Sequence, residues 1–454
     1  MKRGKRLIVD TLLYNGKVFV DGELIKAGIA INDEKIFRIA KTPNLPEASK
    51  RINLKGNVVI PGLVDVHVHL RDEGKAYKED FYTGTMAAAA GGVTTVLDMP
   101  NNEPVTMSAY ALEERISLTR GQIFVNVGFY SALPQSYAEI RDILEKGALA
   151  FKLFLNKQIG GVDIDSDEAL LETFHILSRA GAPVAVHAED RRLIEEKKRK
   201  LQRSGRNDFK AFYEAHSSKA EENAVKRMIR LTEQSEVQTH FCHLSSKKGL
   251  NHVKKAKEKG LFVTCEVTPH HLFLSSADLE KYGGFAVVTP SLKTRRDAEA
   301  LWHALKAGWI DIIASDHAPH TIGEKTADSV WDVKPGIAGI ETLLPLMLNE
   351  VNRGRLTLAE LVRLTSENPA KIFRINLRGL LKEGFYADLT VVDMKKTHQI
   401  DASKFYSKAK FSPFDGWKLR GKPVKTFVNG ELVMEDGEIV AKPATGKLVR
   451  RGQL

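Results

Sequence analysis

Cysteine is almost missing from this chain: only Cys242 and Cys265 occur in 454 residues. Two thiols cannot build a disulfide framework, so a reducing cytoplasm is the expected compartment. Long apolar runs are missing as well. None reaches the roughly 18 residues a membrane helix needs, which excludes an integral helical membrane protein. The opening MKRGKRLIVDTLLYNG is basic but has only a short apolar stretch and no small-residue cleavage site, so it does not read as a signal peptide. Acidic residues are in deficit, 57 against 68 Lys and Arg, for a net charge of +11. Such a balance raises the question of a nucleic-acid partner. The densest basic run, Arg191–Arg206, contains glutamates and no interleaved aromatic residue, so it is expected to be a solvated helix face with no specific nucleic-acid partner. A positive field also draws in small anions. Tandem repeats are absent, which argues against a solenoid. Hydrophobic residues still make up 43% of the chain, ample for a packed core.

The two ends share one texture. Residues 12–40 alternate apolar and polar side chains around the turn signals Asn15-Gly16 and Asp21-Gly22. Tyr386–Met394 and Val424–Val440 do the same, with Asn429-Gly430 and Asp436-Gly437 as turns. The expectation is one small composite β domain built from both termini, residues 1–60 and 376–454. Between them, residues 61–375 hold eight short β-rich runs: Leu63–His69, Thr94–Met99, Phe124–Phe129, Ala150–Phe154, Pro183–His187, Gln238–His243, Leu261–Val267 and Ile310–Ser315. Helical stretches such as Glu79–Ala90, Ser166–Ala180 and Lys219–Ser235 separate them. That alternation predicts an α/β fold, a (β/α)8 TIM-like barrel.

Barrel enzymes carry their chemistry at the C-terminal ends of the strands. The first run ends in His67-Val68-His69-Leu70-Arg71. Residues i and i+2 of a strand share a side, so both imidazoles can reach one cation. The fourth run carries Lys152, the fifth ends at His187, the sixth at His243, and Asp316 follows the eighth. These groups exceed the needs of one tetrahedral zinc and suit two metals about 3.5–4 Å apart. Lys152 repels a cation as an ammonium and can join only as a carbamate formed with CO2, which offers two oxygens. His240 and Cys242 have the opposite parity to His243 and are expected to pack against the helices. His270 and His271 are read as partners of the ligands or as loop structure, and His317 as support for them. His175, His216, His252, His303 and His398 are read as surface residues. The stretches Asn156–Gly161 and Thr321–Lys334 are read as mobile lids.

Eight motifs occur in one order: PGLVDVHVHLRD (Pro61–Asp72), GGVTTVLDMPNN (Gly91–Asn102), FKLFLN (Phe151–Asn156), VHAE (Val186–Glu189), CHLSS (Cys242–Ser246), CEVTPHHL (Cys265–Leu272), SDHAPH (Ser315–His320) and PGIAGIET (Pro335–Thr342). On these motifs the chain resembles the amidohydrolase superfamily and, within it, the type I dihydroorotases. The resemblance implies that His67, His69 and Asp316 bind a more buried zinc, that His187 and His243 bind a more exposed one, and that carboxylated Lys152 bridges them. It implies that Asp316 shuttles the proton, and that Arg71, Asn101 and His320 hold the substrate carboxylate. Relatives of the animal type with a cysteine and a glutamate at the positions of Cys242 and Glu266 hold a third zinc there with the first-strand histidine, which extends that option to this chain. The implied reaction is reversible hydrolysis of (S)-dihydroorotate to N-carbamoyl-L-aspartate by a hydroxide bridging two zinc ions, a step of pyrimidine (UMP) synthesis. Expected partners are the small-molecule substrate, further copies of the chain (dimer or tetramer) and an aspartate carbamoyltransferase complex, with no membrane partner.

Two rival readings accompany it. Hydantoinases and allantoinases share the metal set but act on rings without this carboxylate, and generally lack an arginine at the Arg71 position. An inactive scaffold for aspartate carbamoyltransferase would be expected to have lost ligands that this chain retains. The chain also departs from the family's common pattern. Many bacterial members bridge the metals with an aspartate just beyond the lysine position, whereas Asp163 lies well into the loop here. The segment VVTPSLKTRRD (Val287–Asp297) replaces the usual asparagine and arginine, leaving open which group there meets the substrate ring.

Overall fold

The alternating residues near the N-terminus pair into β1 (Ile8–Val20), β2 (Glu23–Asn32), β3 (Lys35–Ala40), β4 (Glu47–Asn53) and β5 (Val58–Pro61). The computed structural model describes residues 8–452. The central eight strands are β6 (Leu63–Val68), β7 (Val93–Asp98), β8 (Asn126–Ala132), β9 (Ala150–Phe154), β10 (Val184–His187), β11 (Thr239–Phe241), β12 (Val263–Val267) and β13 (Ile312–Ile313). Last come β14 (Leu389–Gln399), β15 (Lys418–Val428), β16 (Glu431–Glu435) and β17 (Glu438–Ile439).

Two sheets result. One runs β17-β16-β15-β14-β5-β1-β2-β3, with β4 added alongside β1, so both termini contribute to it. Its seam is the antiparallel pair β5–β14, where Val59 faces Val391. Asp21-Gly22 and Asn429-Gly430 adopt the left-handed φ pairs (48° and 86°, 49° and 82°) that tight hairpins favour. Asn15-Gly16 does not turn the chain. It lies inside β1 at a register shift against β2, a bulge rather than the hairpin expected from the dipeptide.

The other sheet is the barrel, parallel throughout and in chain order from β6 to β13. Strands buried on both faces read as continuous apolar runs, which is why the eight runs were recognisable. Helices such as Phe81–Ala90, Asp167–Arg179 and Ser218–Ser235 cover it. β13 is only two residues long, and β6 and β13 are not paired along their length. The ring closes at its rim, through the bridge Val68–His317, the bond from His69 N–H to the His317 carbonyl (2.8 Å) and Ser315 N–H to Asp65 Oδ1 (3.1 Å). The barrel meets the other sheet through Thr390 Oγ1, bonded to the Gly92 carbonyl at 2.7 Å. Gly92 has φ 81°, and a Cβ there would lie 2.7 Å from Leu344 and 2.9 Å from Thr390, so only glycine fits. The basic helix Arg191–Arg203 buries Ile194 alone. No helix among the described residues is long and apolar enough to cross a membrane.

Candidate active site

β6 carries one extra residue relative to β7: Asp65 pairs with Val96 and Val68 with Asp98. This bulge resets the side-chain alternation, so Val64 and Val66 fill the barrel interior while His67 and His69 also turn inward above them. His67 Nε2 and His69 Nε2 each lie 3.3 Å from Asp316 Oδ1. The donor atoms of His67, His69 and Asp316 all fall within 4.8 Å of one another, and all three residues are buried.

The far nitrogens of these imidazoles are occupied. His67 Nδ1–H donates to Glu266 Oε1, and His69 Nδ1–H donates to Asn101 Oδ1 at 2.7 Å. Each ring therefore presents a bare Nε2 to the shared point, the tautomer a metal requires. A second pair sits beside them. His187 Nε2–H donates to Glu189 Oε2 at 2.8 Å, which leaves its Nδ1 facing His243 Nε2 at 3.0 Å. The His243 Nδ1 is buried with no hydrogen-bond partner. The His67 and His243 ring centroids are 5.1 Å apart, so the two groups form one cluster. Lys152, fully buried on β9, donates from Nζ to Cys242 Sγ at 2.9 Å.

Burial holds the His67, His69, His187 and His243 imidazoles below their ordinary range, keeping them neutral and able to ligate. Burial raises Asp316, although the charges of His67 and Lys152 pull the other way. Burial also pushes Glu266 up, but His67 and the bond from His240 outweigh it and hold its carboxyl well below the carboxylate norm. These donor sets, with the His67, His69 and His187 tautomers fixed from behind and His243 beside them, fit a pair of metal ions.

Three of the residues at the rim have left-handed backbones: Arg71 (φ 63°), His243 (φ 34°) and Asp316 (φ 45°). Non-glycine residues held there carry strain, of a kind that gathers at functional sites. The cleft above the cluster holds about 580 Å³. Arg71, Lys75, Lys78, Asn101, Lys334 and His320 line its walls.

The sequence model of the amidohydrolase family matches residues 58–433. The chain belongs to the amidohydrolase family. Its relatives include dihydroorotases from Methanothermobacter thermautotrophicus, 39% identical with 95% of each chain covered, and from Pyrococcus horikoshii, 36% identical with 97% of this chain and 96% of the relative covered. Among solved structures, an L-hydantoinase (dihydropyrimidinase) from Arthrobacter aurescens matches with TM-score 0.94 at 32% identity, over 98% of this chain and 100% of its own. A dihydropyrimidinase from Brevibacillus agri matches with TM-score 0.91 at 25% identity, over 97% and 98%.

In this amidohydrolase, the expected histidines, Asp316, Arg71, Asn101 and His320 all line the one cleft, and Lys152 is buried on β9 against Cys242. Arg71 Nη2 lies 3.4 Å from His320 Nε2, and both face the cleft. Asn101 is there too, with its oxygen already spent on His69. Cys242 and Glu266 also join His67 in a second buried group of metal-competent atoms.

Other expectations need correction. His240 and Cys242 do not pack against the helices. They point into the barrel, where His240 Nε2 bonds Glu266 Oε2 at 3.1 Å and Cys242 meets Lys152. His243 comes after the end of β11 and reaches the site through its left-handed backbone, so strand parity does not govern it. His216 is no surface residue: it stacks on Phe212 and bonds Glu189 Oε1 at 3.1 Å. The stretch 321–334 is tied down rather than loose. Lys325 Nζ donates to the carbonyls of Val287, Lys334 and Gly336 at 2.8–2.9 Å, and Trp331 Nε1 donates to the Arg206 carbonyl.

Reading the sequence missed Glu189 as the orienter of His187, although its place two residues on, in VHAE, was the available signal. It missed Lys78, which no local pattern ties to His320, and Glu324, whose place four residues beyond His320 was a signal.

Proposed function

We propose that this protein is a dihydroorotase, interconverting (S)-dihydroorotate and N-carbamoyl-L-aspartate in pyrimidine synthesis with two zinc ions. The observation that carries this reading is the approach of Arg71 to His320 in a cleft beside the His67–His69–Asp316 cluster. A guanidinium and an imidazole there form a seat for a carboxylate on the ring, which hydantoin and allantoin lack. The dihydroorotase names of the relatives agree with it.

His67, His69 and Asp316 would hold one zinc, His187 and His243 the other, and Lys152 would bridge them as a carbamate. Its amine is fully buried on β9, and its hydrogen-bond partner is the Cys242 thiol, a position from which a carbamate would face the histidine cluster. A third zinc at Cys242 and Glu266 competes with the use of Glu266 as the acceptor for His67 and His240. Bound zinc polarises the ring carbonyl and brings the pKa of a water toward about 7. Asp316 Oδ1 faces both imidazoles, so Oδ2 is the oxygen free to take the proton of the attacking water and deliver it to the ring nitrogen as the C–N bond breaks. Burial raises its proton affinity in the direction this shuttle needs. Arg71 and His320 fix the carboxylate end and so hold the scissile amide over the cluster.

The test is a three-substrate assay of the zinc-loaded protein. Dihydroorotate should open, hydantoin and allantoin should not, and Asp316→Ala should lose at least about 100-fold in kcat. Faster turnover of hydantoin than of dihydroorotate would replace this reading with that of the hydantoinases, whose fold it shares at TM-score 0.94.

A further inference from the structure

Lys78 stands at the cleft wall, 7% exposed, and belongs to no metal or substrate set described above. Its Nζ lies 2.6 Å from Glu324 Oε1 and 3.2 Å from His320 Nδ1. His320 has four polar neighbours that divide into two incompatible sets. Lysine only donates, so the Lys78 contact requires a bare Nδ1 and places the proton on Nε2. Nε2–H then donates to the Pro335 carbonyl, which only accepts, at 3.1 Å. The opposite tautomer would donate from Nδ1–H to Glu324 Oε2 at 3.2 Å and accept from Arg71 Nη2 at 3.4 Å.

The two sets differ in what they offer a ligand. With the proton on Nε2, the N–H that meets the Pro335 carbonyl can also be shared, as a three-centre bond, with a carboxylate held by Arg71. With the proton on Nδ1, the ring presents a lone pair and repels that carboxylate. Glu324 is already engaged: Oε1 takes the Lys78 ammonium and Oε2 the Thr321 N–H at 3.0 Å, within a helix capping box. The Pro335 carbonyl is equally well fixed, since Lys325 grips the carbonyls on either side of it, those of Lys334 and Gly336.

We propose that Lys78 and Glu324 are a positioning pair that sets the Nε2–H tautomer of His320, so that a neutral imidazole donates to the substrate carboxylate beside Arg71. The idea rests on the dihydroorotase reading for the identity of that carboxylate. Glu324 anchors the ammonium, and the ammonium sets the ring. Burial and the flanking Arg71 and Lys78 charges hold His320 far below the ordinary imidazole range, so the ring has a single proton to place.

The experiment reads the ring directly, by imidazole nitrogen shifts of isotope-labelled, zinc-loaded protein, with a His320→Gln spectrum identifying the signals. Wild type should show Nε2 protonated. Lys78→Met should move the proton to Nδ1, raise KM for dihydroorotate by about tenfold and change kcat far less. Lys78→Arg should restore both tautomer and KM, which a folding defect would not explain. Glu324→Gln, which weakens the anchor of the ammonium, should shift the proton toward Nδ1 in part, less than Lys78→Met does. The proposal is overturned if Lys78→Met keeps the proton on Nε2, or if the proton moves while KM stays put. A wild-type protein inert toward dihydroorotate would instead sink the dihydroorotase reading, and the ring signals of Lys78→Met would still decide whether Lys78 sets the tautomer.

Discussion

Glu266 and Glu189 work from behind the imidazoles: each carboxylate takes an N–H from a histidine and so determines which nitrogen faces the cleft. Orienting partners of this kind typically matter by about 10–100-fold in metal affinity. Glu189→Gln should weaken zinc at the His187–His243 pair by that factor, read by competition with a chelator, while the His67 group keeps its ion. His271 invites a second measurement at this scale. Burial holds it down at about 4 against an ordinary 6.5, and its neutral ring bonds Thr268 Oγ1 and the Pro290 carbonyl. Between those values the unfolded chain binds more protons than the folded one, so this stabilisation is complete above pH 6.5 and is lost as pH falls through about 4. It amounts to about 3 kcal/mol at most. Thermal unfolding of His271→Gln, whose amide can keep both bonds, should show a flatter acid limb than wild type. Residue types at strand ends made the candidate ligands, and their convergence, legible in the sequence. Of their supporting carboxylates, Glu189 left a signal two residues beyond His187, whereas Glu266 meets His67 only through barrel closure, nearly two hundred positions away.

At the scale of elements, the eight runs were readable because the parallel strands are buried on both faces and mostly apolar, and β9 coincides with its expected span, Ala150–Phe154. What the pattern could not show were departures from regular strand geometry. The β6 bulge, the short β13 and the left-handed residue after β11 depend on how neighbours pair, and each of them re-aims a residue at the rim. The stretch 321–334 was misread for a similar reason: its polar composition resembles that of a lid, while one buried lysine fastens it to two other segments. Lys325→Met removes the donor from three carbonyls at once. Each buried group left unpaired costs about 1–3 kcal/mol. Thermal stability should fall accordingly, with faster amide exchange across 321–336 and a higher KM. Retained protection there would show that Lys325 is not what fastens the wall.

Over the whole molecule, a buried polar network joins the barrel to the terminal sheet. Arg378 pairs with Asp388. Asn126 at the start of β8 donates to Asp388 Oδ2 at 3.2 Å and accepts from Asn429 at 2.9 Å, and Asn429 N–H bonds Asp388 Oδ1 at 2.8 Å. Removing one partner of such a pair strands the other charge, at about 3–5 kcal/mol. Asp388→Ala should therefore lower the unfolding midpoint clearly while leaving turnover per folded molecule near wild type. A matching loss of specific activity would mean that the sheet shapes the cleft as well as bracing the barrel. The composite nature of that sheet was legible from matched textures at the two ends, but its seam was not.

That seam bears on how the molecule comes into being. β5 emerges from the ribosome early, and its neighbour β14 follows only after every barrel strand has been made. Throughout the interval the nascent protein exposes an apolar edge with open backbone bonds, the kind of surface on which stray chains assemble. Newly synthesised copies thus pass through a sticky half-sheet stage, and chaperone capture should concentrate there and end once β14 docks.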